Sequence, residues 1–173
     1  MMPEYWEICD ENGIPTGRIH ERGKPMNPGE YHMSVTAWIR NQNGEFLISK
    51  RLPTASHDAN FWEPTGGSAI AGEDALTAVL REVKEELGLT LPPADGCLFT
   101  QYNWPHSNDS GMVHICVWLF CSDPDITDVV LQPEETCDAR WATEEDIRTL
   151  IREGCFVPFT YLEELFAFCR TLP

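Results

Sequence analysis

Three glutamates, Glu82, Glu85 and Glu86, stand three and four residues apart, with Glu73 and Arg81 just ahead of them. On a helix, at about 100° per residue, the three fall within an arc of roughly 100°. Leu76, Val79, Leu80, Val83 and Leu87 make a neighbouring apolar arc in a run from Glu73 to Leu87 that lacks Gly and Pro. One helix would therefore carry a core face and a carboxylate face. Like charges at these offsets cost a helix a few tenths of a kcal/mol per pair, so something should offset the repulsion. A divalent cation does so: Mg²⁺ or Mn²⁺ takes hard oxygen ligands and shares its shell with phosphate oxygens. Such an ion polarises a phosphoryl group and supplies hydroxide near neutral pH. The plain alternative is a solvated acidic helix face.

The elements that must position these residues are legible around them. Tyr5 to Cys9 has strand composition and runs into the turn residues Asp10 to Gly13, so a hairpin opens the chain. A second hairpin is read from Met33 to Arg40, the turn Asn41 to Gly44, and Glu45 to Arg51, with a Gly/Pro-punctuated loop over Gly23 to Glu30 between the two. Leu52 to Asn60 reads as a loop and Phe61 to Glu63 as a short extended piece, which Pro64-Thr65-Gly66-Gly67 breaks. The helix over Glu73 to Leu87 stops at Gly88. Cys97 to Asn103 and Met112 to Cys121 read as paired strands flanking a turn from Trp104 to Gly111. Ala139 to Ala142 is extended, and Thr143 with Asp146 resembles a helix N-cap. Two short helices, about Glu144 to Arg152 and Tyr161 to Cys169, end the chain.

A length of 173 residues suits a single domain spanning 1–173, and 42% hydrophobic with 23% charged residues suits a real core rather than disorder. The net charge of −16 leaves no basic patch for long nucleic acid or anionic lipid. A small anion can still bind where cations neutralise the carboxylates. The longest apolar run, Ile115 to Cys121, is far short of a membrane span. The N-terminus has no export signal, and seven cysteines without C-x-x-C spacing read as reduced, mostly buried thiols of a cytoplasmic protein.

Gly67, Glu73, Arg81, Glu82, Val83, Glu85, Glu86, Gly88 and Leu89 match G-x5-E-x7-R-E-U-x-E-E-x-G-U, with U apolar, at every specified position. From ordinary residue frequencies, a chance match is on the order of one in a million. Residues 67–89 thus resemble the Nudix box. The resemblance implies a Nudix α/β/α sandwich around a mixed β-sheet, an α+β fold, with a hairpin extension over about residues 1–30. It implies hydrolysis of a diphosphate linked to another moiety, by water attack at phosphorus. Glu82, Glu85 and Glu86 are then Mg²⁺ or Mn²⁺ ligands, with the Gly66 carbonyl as a further oxygen. Either Glu82 or Glu85 is the base on the attacking water, while Glu73 and Arg81 support the loop as an ion pair. Glu135 fits the place of an additional acid from a later loop better than Glu134 does. Lys50 and Arg51 stand where phosphate contacts or a charged strand edge would fall. Trp62, Tyr102, Trp104 and His106 stand where a base could stack or a core be packed. Pro105 is similar in placement to a proline of ADP-ribose-cleaving members, although a lone proline in a turn is ordinarily a turn.

Upstream, Asp10 to Gly17, Tyr31 to Met33 and Asn43 to Arg51 resemble the N-terminal part of isopentenyl-diphosphate isomerase and its hydrolase-like relatives. An isomerase working by acid/base chemistry is therefore one rival. Its pattern asks for a cysteine and a histidine where this chain has Gly66 and Ser68, and for a glutamate pair on a strand where Met112 to Cys121 holds no acid. Only His32 matches its metal site. The other rival is a nucleotide-binding module that does not cleave, a class that usually loses box glutamates. The expected partner is a small nucleoside-diphosphate-type or related organic pyrophosphate. A homodimer surface is read from the apolar N-terminal hairpin and Phe159 to Leu162.

Overall fold

The computed structural model describes residues 3–55, 58–106 and 111–172. Its nine strands are β1 (Tyr5–Cys9), β2 (Pro15–Glu21), β3 (Tyr31–Arg40), β4 (Phe46–Arg51), β5 (Trp62–Glu63), β6 (Thr65–Ser68), β7 (Gly96–Pro105), β8 (Met112–Cys121) and β9 (Thr136–Ala142). The helices are α1 (Ala75–Leu87), α2 (Glu144–Arg152) and α3 (Leu162–Cys169). Parts of the turns expected over 52–60 and 104–111 lie outside the described residues.

β3 organises the sheet. Along one edge it pairs in parallel with β8 over its whole length, from Tyr31 opposite Met112 to Arg40 opposite Cys121. Its other edge is shared in succession by β1 at Tyr31 and His32, by β6 over Ser34 to Ala37, and by β4 at Arg40. The second hairpin therefore holds only at its turn: β4 leaves β3 to pair with β9 and β5. This splay opens the place that β6 fills. Pro64 ends β5 as expected, but Thr65 to Gly67 does not leave the sheet: it enters it as β6. Glycine makes that possible, because a Cβ on Gly66 would overlap the Val35 carbonyl oxygen.

Alternation along β3 and β4 sends the two sheet faces to different cores. Val35, Ala37, Ile39 and Leu47 pack with Ala78, Val79, Val83 and Leu87 of α1. Trp38, Phe46 and Ile48 pack with Ile147 and Leu150 of α2 and with Leu165 and Phe166 of α3. Each fully buried Val or Leu contributes about 1.5–3 kcal/mol, so both faces are firmly covered. The expected mixed sheet between helical layers is the architecture observed. Within Phe159 to Leu162, read above as a dimer surface, Tyr161 and Leu162 are buried, and the Trp38 indole N–H donates to the Tyr161 hydroxyl at 3.2 Å. Those two side chains belong to the core, while Phe159 is half-buried and Thr160 exposed. Of the first hairpin, Tyr5, Ile14 and Ile19 are exposed while Trp6, Ile8 and Cys9 are buried.

α1 begins two residues later than the sequence suggests, because the Asp74 carboxylate accepts from the Thr77 N–H at 2.7 Å and caps the helix there. Its end is as expected, with Gly88 at φ 70° returning its N–H to the Lys84 carbonyl. Thr143 and Asp146 form a reciprocal capping box on α2. The cysteines are all free thiols, but only Cys9, Cys116 and Cys169 are buried. Cys97, Cys121 and Cys137 are exposed, since strand alternation and strand ends turn them outward. Among the described residues, no helix is long and apolar enough to cross a membrane.

Candidate active site

A loop over residues 69–74 joins β6 to α1 and folds the helix back so that a β6 glycine lies against a helix carboxylate. The Glu82 carboxylate lies so close over Gly67 that a Cβ there would overlap it. Ser34, from β3, donates its hydroxyl to the Gly67 carbonyl at 2.9 Å, a side-chain tie between β3 and β6. Glu82, Glu85 and Glu86 all line one cleft of about 410 Å³, together with Gly66 and Gly67. The i, i+3, i+4 spacing thus delivers three carboxylates to one opening, because α1 buries its Val79, Val83 and Leu87 face in the core.

Arg81 is the hub of this wall. Its Nε and Nη2 donate to the two oxygens of Glu73 at 2.8 and 3.0 Å, and its Nη1 donates to Glu82 at 2.9 Å and Glu85 at 2.8 Å. Nη2 also reaches the Ser68 carbonyl at 3.0 Å. Burial acts to lower its pKa and is outweighed by Glu73, Glu82 and Glu85, which raise it. Glu73 meanwhile accepts from the Ile70 N–H at 3.1 Å and so pins the loop ahead of the helix.

The box carboxylates are not equivalent. Glu86 is the most buried of the three and accepts from the Thr65 hydroxyl, and burial pushes its carboxyl up to about 8. Glu82 is also raised by burial, against the lowering effect of Arg81. Glu85 is about half exposed. As they stand, no three acidic, histidine or cysteine side chains among the described residues converge to hold a metal. The physical reason is that Arg81 draws Glu82 and Glu85 to itself while Thr65 holds Glu86. The donor set is nonetheless hard oxygen throughout, which suits Mg²⁺ or Mn²⁺ and not a soft metal.

The sequence's other candidates separate here. Glu135 lines the same cleft, and its charge adds to the raised carboxyls of Glu82 and Glu86; Glu134 lines only an adjoining recess. Arg51 lines the cleft and donates to Glu63 at 2.7 Å. Lys50 does not line it. Neighbours on a strand point to opposite faces, and Lys50 instead lies 5.8 Å over the Trp62 ring. Trp62 is a core residue, Trp104 is exposed away from the cleft, and His106 packs edge-on against Trp6 and His32. Of the four aromatics proposed for stacking, Tyr102 alone lines the cleft. Phe159, Val157 and Ile115 join it to form an apolar end. Sequence reasoning missed Phe159 and Val157, which reach the cleft because the Val157 N–H bonds the Trp62 carbonyl at 3.1 Å. It also missed Glu4 and Arg22, which line the cleft from the first hairpin.

The NUDIX domain signature matches residues 30–160, well over half of the chain. The chain belongs to the Nudix family. This Nudix protein is 34% identical over 164 residues to an uncharacterized Nudix hydrolase of Listeria monocytogenes, with 94% of each chain covered. It is 21% identical over 148 residues to the isopentenyl-diphosphate Δ-isomerase of Escherichia coli K12, covering 85% of this chain and 81% of the isomerase. Its fold is similar to that of a MutT protein from Methanosarcina mazei, with a TM-score of 0.62, 29% identity, and coverage of 86% and 96%. It also superposes on a protein from Deinococcus radiodurans with a TM-score of 0.71, 24% identity, and coverage of 96% and 99%. With a complete box and Nudix hydrolases as relatives, the chain is a Nudix pyrophosphohydrolase. His32, the one position that the sequence resemblance matched to the isomerase's metal site, is buried and stacked flat on Trp6, with ring centroids 3.9 Å apart.

Proposed function

We propose that this cleft hydrolyses the diphosphate of a nucleoside-diphosphate-type or related organic pyrophosphate, with Mg²⁺ or Mn²⁺ held by Glu82, Glu85, Glu86 and the Gly66 carbonyl. The observation that carries this assignment is the unbroken carboxylate face of α1 lining a 410 Å³ opening together with Glu135. When bound, the metal neutralises phosphate charge, polarises the phosphoryl group and lowers the pKa of water.

The chain's own residues do the rest. Glu82 or Glu85 takes the proton of the attacking water; both lie on α1, Glu82 mostly buried and Glu85 half-exposed. Glu73 keeps Arg81 in position, so that Glu82 and Glu85 stay on the cleft side of α1. Arg51 lies beside the opening, where its charge stabilises an anionic substrate. Tyr102, Ile115, Val157 and Phe159 supply the apolar surface against which the attached group, a base above all, is held.

The test is phosphate release from nucleotides, nucleotide sugars, ADP-ribose, dinucleoside polyphosphates and isopentenyl diphosphate, with Mg²⁺, with Mn²⁺ and with EDTA. Metal-dependent cleavage of a member of the panel is expected. Ligand-induced thermal stabilisation without cleavage would instead point to a binding module, and isomerised isopentenyl diphosphate to the isomerase.

A further inference from the structure

Three arginines line the cleft, and they differ in what already holds them. Arg81 is saturated by Glu73, Glu82, Glu85 and the Ser68 carbonyl. Arg51 is clamped to Glu63 at 2.7 Å with about a quarter of either side chain exposed. Arg22, which follows β2, is tied to one carboxylate, that of Glu4, and its side chain is 56% exposed. It also lines the adjoining recess of about 240 Å³, so it stands where the two openings meet.

Its main chain, unlike its side chain, is firmly set. The Arg22 N–H donates to the Glu4 carbonyl at 2.9 Å, and the next residue's carbonyl, that of Tyr5, accepts from the Ala71 N–H at 2.8 Å. Ala71 lies in the loop that Glu73 and Arg81 pin ahead of α1. A continuous run of backbone hydrogen bonds thus fixes the base of Arg22 relative to the box, while its guanidinium is free to exchange one exposed partner for another. Both Glu4 and Arg22 lie outside residues 30–160, the part that carries the family signature.

We infer that Arg22 is a substrate-positioning residue: its guanidinium leaves Glu4 to take a phosphate of the bound diphosphate. The planar fork suits two phosphate oxygens, and an exposed ion pair is weak enough to be exchanged for a doubly charged ligand. Glu4 then has two effects on affinity, both unfavourable: it competes for Arg22 and repels the anion. The first hairpin is by this account part of the substrate site, supplying a charge that the box and its arginine do not. The inference rests on the diphosphate reading of the cleft.

The experiment uses the full chain with Mg²⁺ and imidodiphosphate, a diphosphate analogue without an attached group, titrated by calorimetry, alongside kinetics on whichever panel member is cleaved fastest. Arg22→Gln is expected to weaken imidodiphosphate binding and raise KM by about tenfold with little change in kcat, the pattern of lost uniform binding. Arg22→Lys should recover part of the loss, because a point charge replaces a fork. Glu4→Gln should tighten binding by a few-fold, opposite in sign to Arg22→Gln. If the hairpin pair were merely structural, both Gln variants would weaken binding together and melt early. That outcome overturns the inference, as does an Arg22→Gln chain that binds like the wild type at an unchanged melting temperature. A wild-type chain that binds imidodiphosphate through Arg22 but cleaves nothing would uphold the positioning role and sink the hydrolytic one. A wild-type chain that does not bind the analogue overturns the positioning role directly.

Discussion

Arg81 and Arg22 serve one cleft from different elements, α1 and the chain just after β2, and hold their charge in opposite ways. Arg81 is 22% exposed and donates to three carboxylates and a carbonyl; Arg22 is 56% exposed and shares one carboxylate that is itself 53% exposed. A guanidinium with every donor occupied in a half-buried network is a structural part, because moving it would leave several acids unpaired. One with a single solvated partner costs little to redirect. Exposure and partner count therefore separate the arginine that builds the site from the one available to a ligand, although both are cations on the same opening.

The largest effect should come from the carboxylates of the α1 face, Glu85 held by Arg81 and Glu86 by Thr65. Glu85→Gln or Glu86→Gln removes a hard ligand and is expected to cut metal-dependent turnover by at least about 10²-fold while circular dichroism and melting stay near wild type. Retained turnover in either variant would defeat the metal assignment. Next, Arg81→Ala should cost about 2–4 kcal/mol in urea unfolding, since Glu73, Glu82 and Glu85 lose their common partner in a half-buried setting. Arg22→Ala should cost no more than about 0.5 kcal/mol. Equal losses for the two arginines would erase the distinction drawn between them.

A smaller effect tests the loop that carries the hairpin back to β3. The Asn27 backbone N–H, then the Asn27 side-chain amide and Arg18, hold the Glu30 carboxyl at about 2, below its ordinary 4.5. A carboxyl lowered by folding contributes fully above about pH 4.5, and that contribution is lost as pH falls through 2. Glu30→Gln should therefore cost about 1–2 kcal/mol at pH 7, and the gap to wild type should close as pH falls toward 2. A gap that persists unchanged at acid pH would mean that Glu30 acts through packing rather than charge.

Much of this molecule was legible locally. The apolar stripe and Gly88 placed α1 to within two residues, and Thr143 with Asp146 marked the start of α2, because caps and periodicity are short-range chemistry. β6 was not legible: Pro64 to Gly67 reads as a breaker, and only the neighbouring Val35 backbone shows why small residues are needed there. Lys50 and Arg51 are adjacent in sequence yet part company across the sheet, and no spacing rule says which of the two meets the cleft. Phe159 read as surface because its apolar neighbours Tyr161 and Leu162 had no visible partner until α3 was folded onto Trp38.

By itself the sequence determined the carboxylate face of α1, its cap residues, the alternation of β3 and β4, and the diphosphate chemistry that the complete box implies. These depend on residues within a few turns of one another, where spacing and geometry are nearly the same thing. Tertiary structure alone decided the splay of β3 from β4 that admits β6, the choice of Arg51 over Lys50, the apolar end built by Tyr102, Val157 and Phe159, and the arrival of Glu4 and Arg22 beside the box. Those contacts join segments up to the length of the chain apart, and they are set by which sheet edge is open and which face is buried. No window of sequence contains that information.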